Sequence, residues 1–580
     1  MRIKNEILKN LLPYLLEHRK KLITLSFIAI LGNGLTLIGP YLIGKGINIL
    51  KLQMSRVDIL SLGRITLLLG TVYILGAFLT FIQNITMNRI SQQIVWRMRK
   101  ESFEKLHKFS LKFFDNNSHG NIISIMINDI DNISSSISQI GTQVVVSILT
   151  IIITLGIMTY ISPTLTLVQI ILVFVTGGFL RKLTLKSREK MREQQRYLGE
   201  LSGYVEEMLM GEAEVKSFTY EENAIKNFKS LNEKYKENAI KAYFFTGFSY
   251  PSLNYIGNIG YALIVLIGSI FILNNEITLG GLSSFIIYSR MFNRPIANIS
   301  DVYSIIQTVL VSAERFFTLV NQGEEKETGD KKVILEQAKG DIQFIDVTFG
   351  YQKEQKIIDK FTFEAKPGNM IAIVGPTGAG KTTITNLLMR FYDIDSGKII
   401  IDGIDIREYS RGELRKLFGM VLQDTWIFTG TIKENIVYGN ENVTEAEIIN
   451  ATKLACAHDF IIKLSQGYET KISEDNITLS QGQKQLITIA RAILRNPRFL
   501  ILDEATSGVD TRTEMKLQKA MENLIHGRTS FVIAHRLSTI KSANLILVIK
   551  DGKIEEQGTH KELMDKKGFY YTMFNEQYTN

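Results

Sequence analysis

A glycine-rich segment at 371–388, IAIVGPTGAGKTTITNLL, carries the clearest chemistry in the sequence. An apolar run precedes it and a helical pattern follows it, which is the context that a phosphate-binding loop requires. Its glycines let backbone N–H groups face phosphate oxygens, while Lys381 can reach the outer phosphates and Thr382 can offer a hydroxyl to Mg²⁺. The residues expected to hold the nucleotide are Gly375, Pro376, Thr377, Gly378, Ala379, Gly380, Lys381, Thr382 and Thr383.

Two adjacent carboxylates follow a second apolar run, in RFLILDEATSGVD at 498–510. Asp503 and Glu504 stand at the end of a predicted buried strand. Asp503 can order Mg²⁺ through water, and Glu504 can polarise the water that attacks the terminal phosphate. The sequence therefore predicts hydrolysis of the nucleotide, with Glu504 as the catalytic carboxylate.

Three single residues complete a candidate catalytic set. Gln423 in GMVLQDTWIF can contact Mg²⁺ and the attacking water, and His535 in FVIAHRLSTI can bond the γ-phosphate. Tyr351 in VTFGYQ, ahead of the phosphate loop, can stack on a base. A lone Tyr or His is more often a core or surface residue, so it is their order around one phosphate loop that favours the functional interpretation.

A second candidate anion site lies at 477–494, ITLSQGQKQLITIARAIL. Ser480 and Gly482 stand where a helical pattern begins, and a helix N-terminus with a hydroxyl beside it favours an anion. Gln481 lies between them, so a side chain is present where backbone would approach a phosphate.

Alternating strand and helix patterns must position these residues. The apolar runs MIAIVG, FLILDE, SFVIAH and LILVIKDGKI are typical of strands in a mostly parallel sheet covered by helices, and the Asp551-Gly552 pair predicts a hairpin turn. The sequence predicts an α/β P-loop NTPase domain over 339–580. Residues 321–338 have no apolar periodicity and are predicted to be a linker.

The first half holds apolar runs of membrane-spanning length, each needing roughly 20 residues. Six spans are predicted, at 22–45, 62–86, 138–160, 164–181, 247–273 and 278–300. The long connections 87–137 and 182–246 are helical in pattern and carry most of the basic residues. The positive-inside rule makes them cytoplasmic, and an even number of spans places both termini on that side. Residues 1–21 predict an amphipathic helix at the membrane surface.

Charge and cysteine content exclude some classes of function. The basic loops account for the net charge of +9, so no nucleic-acid partner is predicted. The single cysteine, Cys456, excludes an intrachain disulfide and is expected to be a buried small hydrophobe. Arg290 and Arg294 fall in the sixth span, where facing lipid would cost a few kcal/mol each. A structural ion pair or a role in handling cargo would each explain them.

The second half resembles the nucleotide-binding domain of ATP-binding-cassette (ABC) proteins. The phosphate loop at 375–382, Gln423 as the Q-loop residue and LSQGQ as the signature carry this resemblance. Three further matches are the second nucleotide motif at 499–504, the D-loop SGVD at 507–510 with Asp510, and His535 as the switch histidine. The resemblance implies that the nucleotide is ATP.

The first half resembles the membrane domain of ABC exporters. Segments 113–133 and 211–222 are similar to their two cytoplasmic coupling segments, and SAERFFTLV at 312–320 is similar to the end of their sixth helix. Nearly the whole chain thus resembles a half-transporter of the multidrug and lipid exporter type. The implied fold is an α-helical transmembrane domain over 1–320, of the type I exporter fold, joined to the ATPase domain.

The resemblance implies a dimer, because in this family the signature binds ATP held by the opposite subunit. The residues that would complete a partner's site are Leu479, Ser480, Gln481, Gly482 and Gln483. Gln481 departs from the usual Ser-Gly-Gly, and TKISEDN before it lacks the usual glycines and keeps only Glu474 as the expected acid. An intact ATP-contacting set beside an altered signature favours a heterodimer with a different half-transporter. Many bacterial signatures tolerate Gln here, so a homodimer stays open.

The implied activity is ATP-driven export across the cytoplasmic membrane by alternating access, with Mg²⁺ as cofactor. Aromatic residues near 247–300 suit amphipathic or hydrophobic cargo of drug or lipid type, although ordinary helix packing explains them equally well. The alternatives are an importer with the same fold (for siderophores, for example), a homodimeric lipid flippase, and a non-transporting partner that senses or gates. A soluble ABC ATPase acting on ribosomes or DNA is disfavoured by the six predicted spans.

Overall fold

The structure is a computed structural model that describes residues 2–52, 58–325, 327–333, 338–352, 355–423, 425–440, 442–472, 479–503, 510–534 and 537–578. The chain divides into two compact units. The first comprises Met1–Leu106 and His119–Gln322, and the second comprises His107–Ser118 and Gly323–Asn580. Of the predicted residues, Glu474, Glu504, His535 and D-loop positions 507–509 lie outside the described residues, as does the side chain of Arg294.

The chain up to Val320 is built of helices. They are α1 (Arg2–Leu16), α2 (Arg19–Leu52), α3 (Ile59–Leu106), α4 (Leu111–Asn116, in the second unit), α5 (His119–Ser124), α6 (Ile130–Gln139), α7 (Val145–Ile161), α8 (Pro163–Met210), α9 (Glu212–Ser217), α10 (Glu221–Leu273) and α11 (Leu279–Val320). Two π-helical turns, Ile125–Asp129 and Ile140–Val144, lie between α5 and α6 and between α6 and α7.

Several helices are much longer than a bilayer is thick. Helices α3 and α8 have 48 residues each and α10 has 53. At a rise of about 1.5 Å per residue they reach roughly 70–80 Å, against about 30 Å of hydrocarbon. Much of the two long connections predicted to be helical, 87–106, 182–210 and 221–246, thus continues α3, α8 and α10 without a break.

Five helical stretches among the described residues are long and apolar enough to span a membrane. They are Arg19–Leu50, Ile59–Leu106, His119–Ile161, Pro163–Met210 and Asn254–Leu273. The first four contain the first four predicted spans, and the fifth covers 254–273 of the predicted span 247–273. The sixth predicted span, 278–300, falls almost wholly in α11, where the side chains at 294 and 296–300 lie outside the described residues.

Hydrogen bonds to backbone carbonyls hold α11 against α2. The Tyr288 hydroxyl donates to the Leu37 carbonyl at 2.6 Å, and Ser284 Oγ donates to the Pro40 carbonyl at 2.8 Å. Gly44 brings the helices closer still, because a Cβ there would lie 2.4 Å from the Gly280 carbonyl oxygen. Small residues and interhelical hydrogen bonds are the usual means by which helices associate in lipid.

The second unit contains the strands. They are β1 (Ile342–Phe349), β2 (Ile358–Ala365), β3 (Met370–Val374), β4 (Ser396–Ile401), β5 (Ile404–Asp405), β6 (Phe418–Val421), β7 (Gly430–Thr431), β8 (Lys471–Ile472), β9 (Phe499–Asp503), β10 (Thr529–Ile533), β11 (Leu545–Lys550) and β12 (Lys553–Gly558). The central sheet has the order β12-β11-β3-β10-β9-β6, with parallel pairs throughout except for the β11–β12 hairpin at Asp551-Gly552. This confirms the α/β P-loop fold and the hairpin.

A second, antiparallel sheet has the order β2-β1-β4-β5 and was not among the strands predicted from apolar runs. Its strands alternate buried and exposed residues, so no continuous apolar run marks them. The remaining helices of the unit are α12 (Lys381–Leu388), α13 (Arg411–Lys416), α14 (Ile432–Val437), α15 (Glu445–Leu454), α16 (His458–Ile461), α17 (Gln481–Arg495), α18 (Thr511–Ile525), α19 (Leu537–Ser542), α20 (His560–Lys566) and α21 (Phe569–Tyr578).

Two segments with little regular structure are fastened to the second unit. Glu325 N–H donates to the Lys108 carbonyl at 2.7 Å, and its carboxylate lies 2.8 Å from Arg415. The Tyr392 hydroxyl hydrogen-bonds Asp115 at the end of α4.

Cys456 packs against a hydrophobic core of the second unit but is only partly buried. This corrects the expectation of full burial. The residue sits in the turn after α15, with φ of 54°.

Candidate nucleotide-binding site

The phosphate loop joins β3 to α12 at the carboxyl edge of the parallel sheet. Gly378 and Gly380 have φ of 83° and 100°, where a side chain would strain the backbone. A Cβ at Gly375 would lie 2.2 Å from the Ile549 carbonyl oxygen. The loop therefore requires glycine at these positions for its own path, and this path suits a backbone that cradles phosphate.

Lys381 begins α12 and its ammonium lies within the curve of the loop. Nζ donates to the carbonyl oxygens of Gly375 at 2.8 Å and Pro376 at 3.0 Å. Burial lowers the pKa of Lys381, and the negative charge of Asp503 opposes that shift. Asp503 therefore lies close enough to act electrostatically on the ammonium, which links the second predicted motif to the loop.

The register of the sheet explains why residues far apart in sequence meet at this edge. Ile533 on β10 lies opposite both Ile373 on β3 and Asp503 on β9. The positions that follow these strands, Gly375 after Val374 and Ala534 after Ile533, therefore stand at one end of the sheet. Carboxyl ends of parallel strands are where α/β proteins bind their ligands.

Gln423 approaches the same edge from β6. Val421, the last residue of that strand, pairs with Leu502, so Gln423 comes two residues beyond the end of β6, whereas Asp503 is the last residue of β9. Its side chain is exposed. The structure thus places Gln423 on the Asp503 side of the site.

Tyr351 lies against α12, the helix that follows the loop. Its hydroxyl donates to Thr383 Oγ1 and accepts from Asn386 Nδ2, both at 3.3 Å. Its ring meets Phe349 and Tyr392 edge-on, with centroids 5.1 and 5.0 Å away. The side chain is 38% exposed, which leaves ring surface free for a base.

The signature residues form the start of α17. Ser480 Oγ accepts from Gln483 N–H at 3.3 Å, and Gln483 Oε1 accepts from Ser480 N–H at 3.0 Å, which is a capping box. Gln481 Nε2 donates to Thr425 Oγ1 at 3.4 Å, and Gly482 is buried. Leu479 packs in a different hydrophobic core from Ala379 and Ile384 of the phosphate loop and α12.

The structure therefore separates the predicted residues into two groups. One group surrounds a single edge of the central sheet. It consists of Tyr351, the phosphate loop together with Lys381, Asp503, and Gln423. Among the described residues, the side-chain hydrogen bonds of 479–483 run within that segment and to Thr425. Asp510 caps α18, its Oδ1 accepting from Arg512 and Thr513 N–H groups at 3.1 and 3.0 Å, and these bonds lower the pKa of Asp510.

The donor set of the loop site fits magnesium. Thr382, Asp503 and Gln423 supply hydroxyl, carboxylate and amide oxygens, which are the ligands that Mg²⁺ takes beside nucleotide phosphates. No cluster of three or more His, Cys, Asp or Glu that could hold a metal occurs among the described residues. A magnesium ion would therefore depend on the nucleotide for part of its coordination.

Sequence reasoning missed a buried carboxylate in the first unit. Asp129 is 4% exposed, and its oxygens lie 2.8 Å from Ser312 Oγ and 2.7 Å from Arg315 Nη1. Arg315 Nη2 also donates to Asn121 Oδ1 at 2.6 Å. An isolated Asp in a polar segment carries no periodic signal, so only the fold reveals this group.

Comparison with known proteins identifies the family. Residues 22–296 match the family described as the ABC transporter transmembrane region, and residues 358–507 match the family described as ABC transporter. The chain belongs to the ABC transporter family. It is a half-transporter, in which a transmembrane region is fused to an ATPase domain that couples hydrolysis to transport.

Relatives and a solved structure extend the family match over nearly the whole chain. An uncharacterised ABC transporter ATP-binding protein, YfiC of Bacillus subtilis, is 40% identical over 98% of this chain and 94% of its own length. A fatty acid ABC transporter ATP-binding/permease protein of Mycobacterium bovis is 41% identical over 91% of this chain and 83% of its own. A bacterial Atm1-family ABC exporter with ATP bound has a TM-score of 0.76 and 28% identity, covering 97% and 99% of the two chains.

Proposed function

We propose that this chain is one half of a dimeric exporter that uses ATP and Mg²⁺ to move amphipathic or hydrophobic compounds, of drug or lipid type, out across the cytoplasmic membrane. The observation that carries the proposal is an apolar cavity of about 340 Å³ within the helical unit. Tyr41, Ile157, Tyr160 and Tyr288 are among its lining residues, and an apolar, aromatic lining suits an acyl chain or a flat ring system.

The ATP site assigns roles to the residues around the sheet edge. The loop, Lys381 and Tyr351 hold the nucleotide, while Thr382, Gln423 and Asp503 stand where magnesium would be bound. Bound magnesium would neutralise charge on the phosphates during transfer to water. Glu504 follows Asp503 and His535 follows Ala534 in sequence, and we assign them the activation of water and the γ-phosphate contact.

A dimer is supported by an exposed apolar stretch that runs from the last residues of α8 to the turn after α9. Phe218 is 82% exposed, Met210 is 80% exposed and Leu209 is 68% exposed. Adjacent large apolar side chains left in water mark an interaction surface. We assign this segment to contact with the partner's ATPase domain, and 479–483 to the partner's ATP. The partner is a second half-transporter, for which the altered signature favours a different chain.

An assay in proteoliposomes tests both the direction of transport and its dependence on ATP. With the ATPase domains facing outward, ATP should drive a fluorescent amphiphile such as Hoechst dye into the lumen, and Glu504→Gln should abolish this accumulation. The matched control is Glu522→Gln, at an exposed position near the end of α18 and outside the ATP site, which should leave transport intact. ATP-dependent loss of dye preloaded in the lumen would instead support an importer.

A further inference from the structure

A polar cavity of about 490 Å³ lies among α3, α7 and α11, inside the stretches predicted to span the membrane. Its lining includes Thr80, Gln83, Asn84, Gln143, Ser147 and Thr150. Amides and hydroxyls are expensive to bury in lipid unless they find a hydrogen-bond partner. A cluster of them around an open volume therefore calls for an explanation beyond helix packing.

Gln83 is the most informative member of the cluster. It is 3% exposed and faces the cavity, and within the described part of the chain its amide makes no hydrogen bond. The amides of Asn84 and Gln143 are uncommitted in the same way, among described residues. By contrast Thr80 and Thr142 already donate to carbonyls in their own helices. The free amides offer both donors and acceptors to a ligand.

Backbone irregularities meet at the same cavity. Gln143 lies in the π-helical turn Ile140–Val144, a kind of distortion that occurs frequently at functional sites. Pro295 and Met291 both line the cavity on α11. Pro295 has no N–H, so the Met291 carbonyl loses the helical donor that it would otherwise have. The Met291 carbonyl oxygen is therefore a further hydrogen-bond acceptor for a ligand, in addition to the amides.

The described lining contains no Asp, Glu, Lys or Arg. The nearest described arginine in sequence, Arg290, holds its guanidinium 5.0 Å from the centroid of the Tyr261 ring on α10. An ionised headgroup would find no counter-charge among the described lining residues, whereas a hydroxyl or amide group would pair with the free amides.

The apolar cavity described above lies along the same helix faces. Ile157 follows Thr150 by two turns of α7, and Tyr288 precedes Met291 by about one turn of α11. We infer that the polar cavity binds the uncharged, hydroxyl- or amide-bearing headgroup of an amphiphile whose acyl chain lies in the apolar cavity. This inference rests on the proposed export function and narrows its substrate class.

The test compares two amphiphiles that share one acyl chain, 1-monooleoylglycerol and oleate, as activators of ATP hydrolysis by the reconstituted transporter. The neutral glyceride should stimulate turnover at lower concentration than the anion. Gln83→Leu and Gln143→Leu should each raise its half-maximal concentration about tenfold, equivalent to about 1.4 kcal/mol. Size-exclusion chromatography and thermal unfolding in detergent, each compared with the wild-type protein, show whether the variants fold.

Gln92→Leu is the matched control, because Gln92 is an exposed glutamine on α3 outside the cavity lining. It should leave the response to monooleoylglycerol unchanged. A diazirine-bearing monoacylglycerol should label peptides of α3, α7 and α11 in the wild-type protein, and Gln83→Leu should reduce that labelling.

Three results would overturn the inference. They are stronger stimulation by oleate, no change with either cavity variant, or labelling confined to other helices, as expected if partner helices fill the cavity. Each is compatible with ATP-driven export of another amphiphile. If monooleoylglycerol and oleate both failed to stimulate ATP hydrolysis, and the dye of the transport assay were not transported, the export proposal itself would fail.

Discussion

At the scale of single residues, the ATP site combines positions with little freedom to change and one position that departs from its family. Gly378, Gly380 and Lys381 are fixed by backbone conformation and by the carbonyls that receive the ammonium. Gln481 is different, because its side chain extends from the first turn of α17 to Thr425. We therefore expect a phosphate that approaches this helix N-terminus to meet the side chain of Gln481.

Gln481→Gly is expected to increase ATP hydrolysis at the composite site that this signature serves. Removing the side chain opens the helix N-terminus to the γ-phosphate, and we expect roughly a fivefold gain, equivalent to about 1 kcal/mol of barrier. ATPase assays of the assembled transporter measure it. Thr425→Val is the control, since it deletes only the hydrogen bond to Gln481; an equal gain there, or no gain in the glycine variant, would contradict the steric explanation.

Phosphate-loop chemistry gives a second prediction at this scale. Lys381→Ala removes the one described cation held within the loop, so we expect ATP affinity and hydrolysis to fall by at least about tenfold each. Binding of a fluorescent ATP analogue and phosphate release report the two effects separately. Lys366→Ala, at an exposed position before β3, should leave both unchanged. Retention of ATP binding in Lys381→Ala would argue against the assigned role.

At the scale of elements, Asp129 connects the π-helical turn after α5 to the last turns of α11. Ser312 and Arg315 on α11 both contact its carboxylate, and Arg315 reaches back to Asn121. The side chain of Asp129 is 6% exposed and that of Arg315 is 40% exposed. The pair thus joins one of the two predicted coupling segments to the helix that leads toward the ATPase domain.

Asp129→Ala should destabilise the helical unit, because the Ser312 hydroxyl loses its acceptor and Arg315 keeps only Asn121 of its two partners. Loss of one partner of a buried pair costs about 3–5 kcal/mol, and the exposure of Arg315 lowers our expectation to about 2 kcal/mol. Thermal unfolding in detergent measures the loss. Asp131→Ala is the control, since Asp131 pairs with Arg99 on the surface and such pairs contribute about 0–1 kcal/mol. If the two variants lost equal stability, the burial of Asp129 could not be the cause of the loss in Asp129→Ala.

At the scale of the whole molecule, each unit is assembled from separate parts of the sequence. Residues 107–118 belong to the second unit although they fall between helices of the first. On the proposed function, the chain holds the loop half of one ATP site and a signature for another, and we therefore expect its activity to depend on its partner.

Purified alone in lipid nanodiscs, the chain is expected to hydrolyse ATP slowly, because its own signature would serve both sites of a homodimer. Co-expression with its proper partner should restore turnover, and Glu504→Gln should remove it. Phosphate release is the measurement, with mass photometry to give the oligomeric state. Fast turnover of the chain alone, abolished by Glu504→Gln, would establish a competent homodimer and refute the heterodimer.

Some strands and helices could be predicted from the sequence and others could not, and the reasons are physical. The apolar runs of β3, β9, β10 and β11 are buried on both faces, so hydrophobicity alone located them. Strands β1 and β2 alternate exposed and buried residues over a small sheet and were missed. The sixth predicted span, most of which lies in α11, is the least continuous of the six in hydrophobicity because Arg290 and Arg294 interrupt it.

The sequence by itself determined the family, the order of the two domains and the phosphate loop, because these depend on local spacing and on continuous hydrophobicity. Tertiary structure alone decided that Gln481 reaches Thr425, that Asp129 meets Arg315, and that uncharged amides surround a cavity near an apolar one. The physical reason is that such contacts join positions far apart along the chain, where pairing is set by the packing of helices. No local pattern of residue types encodes which distant side chains will meet.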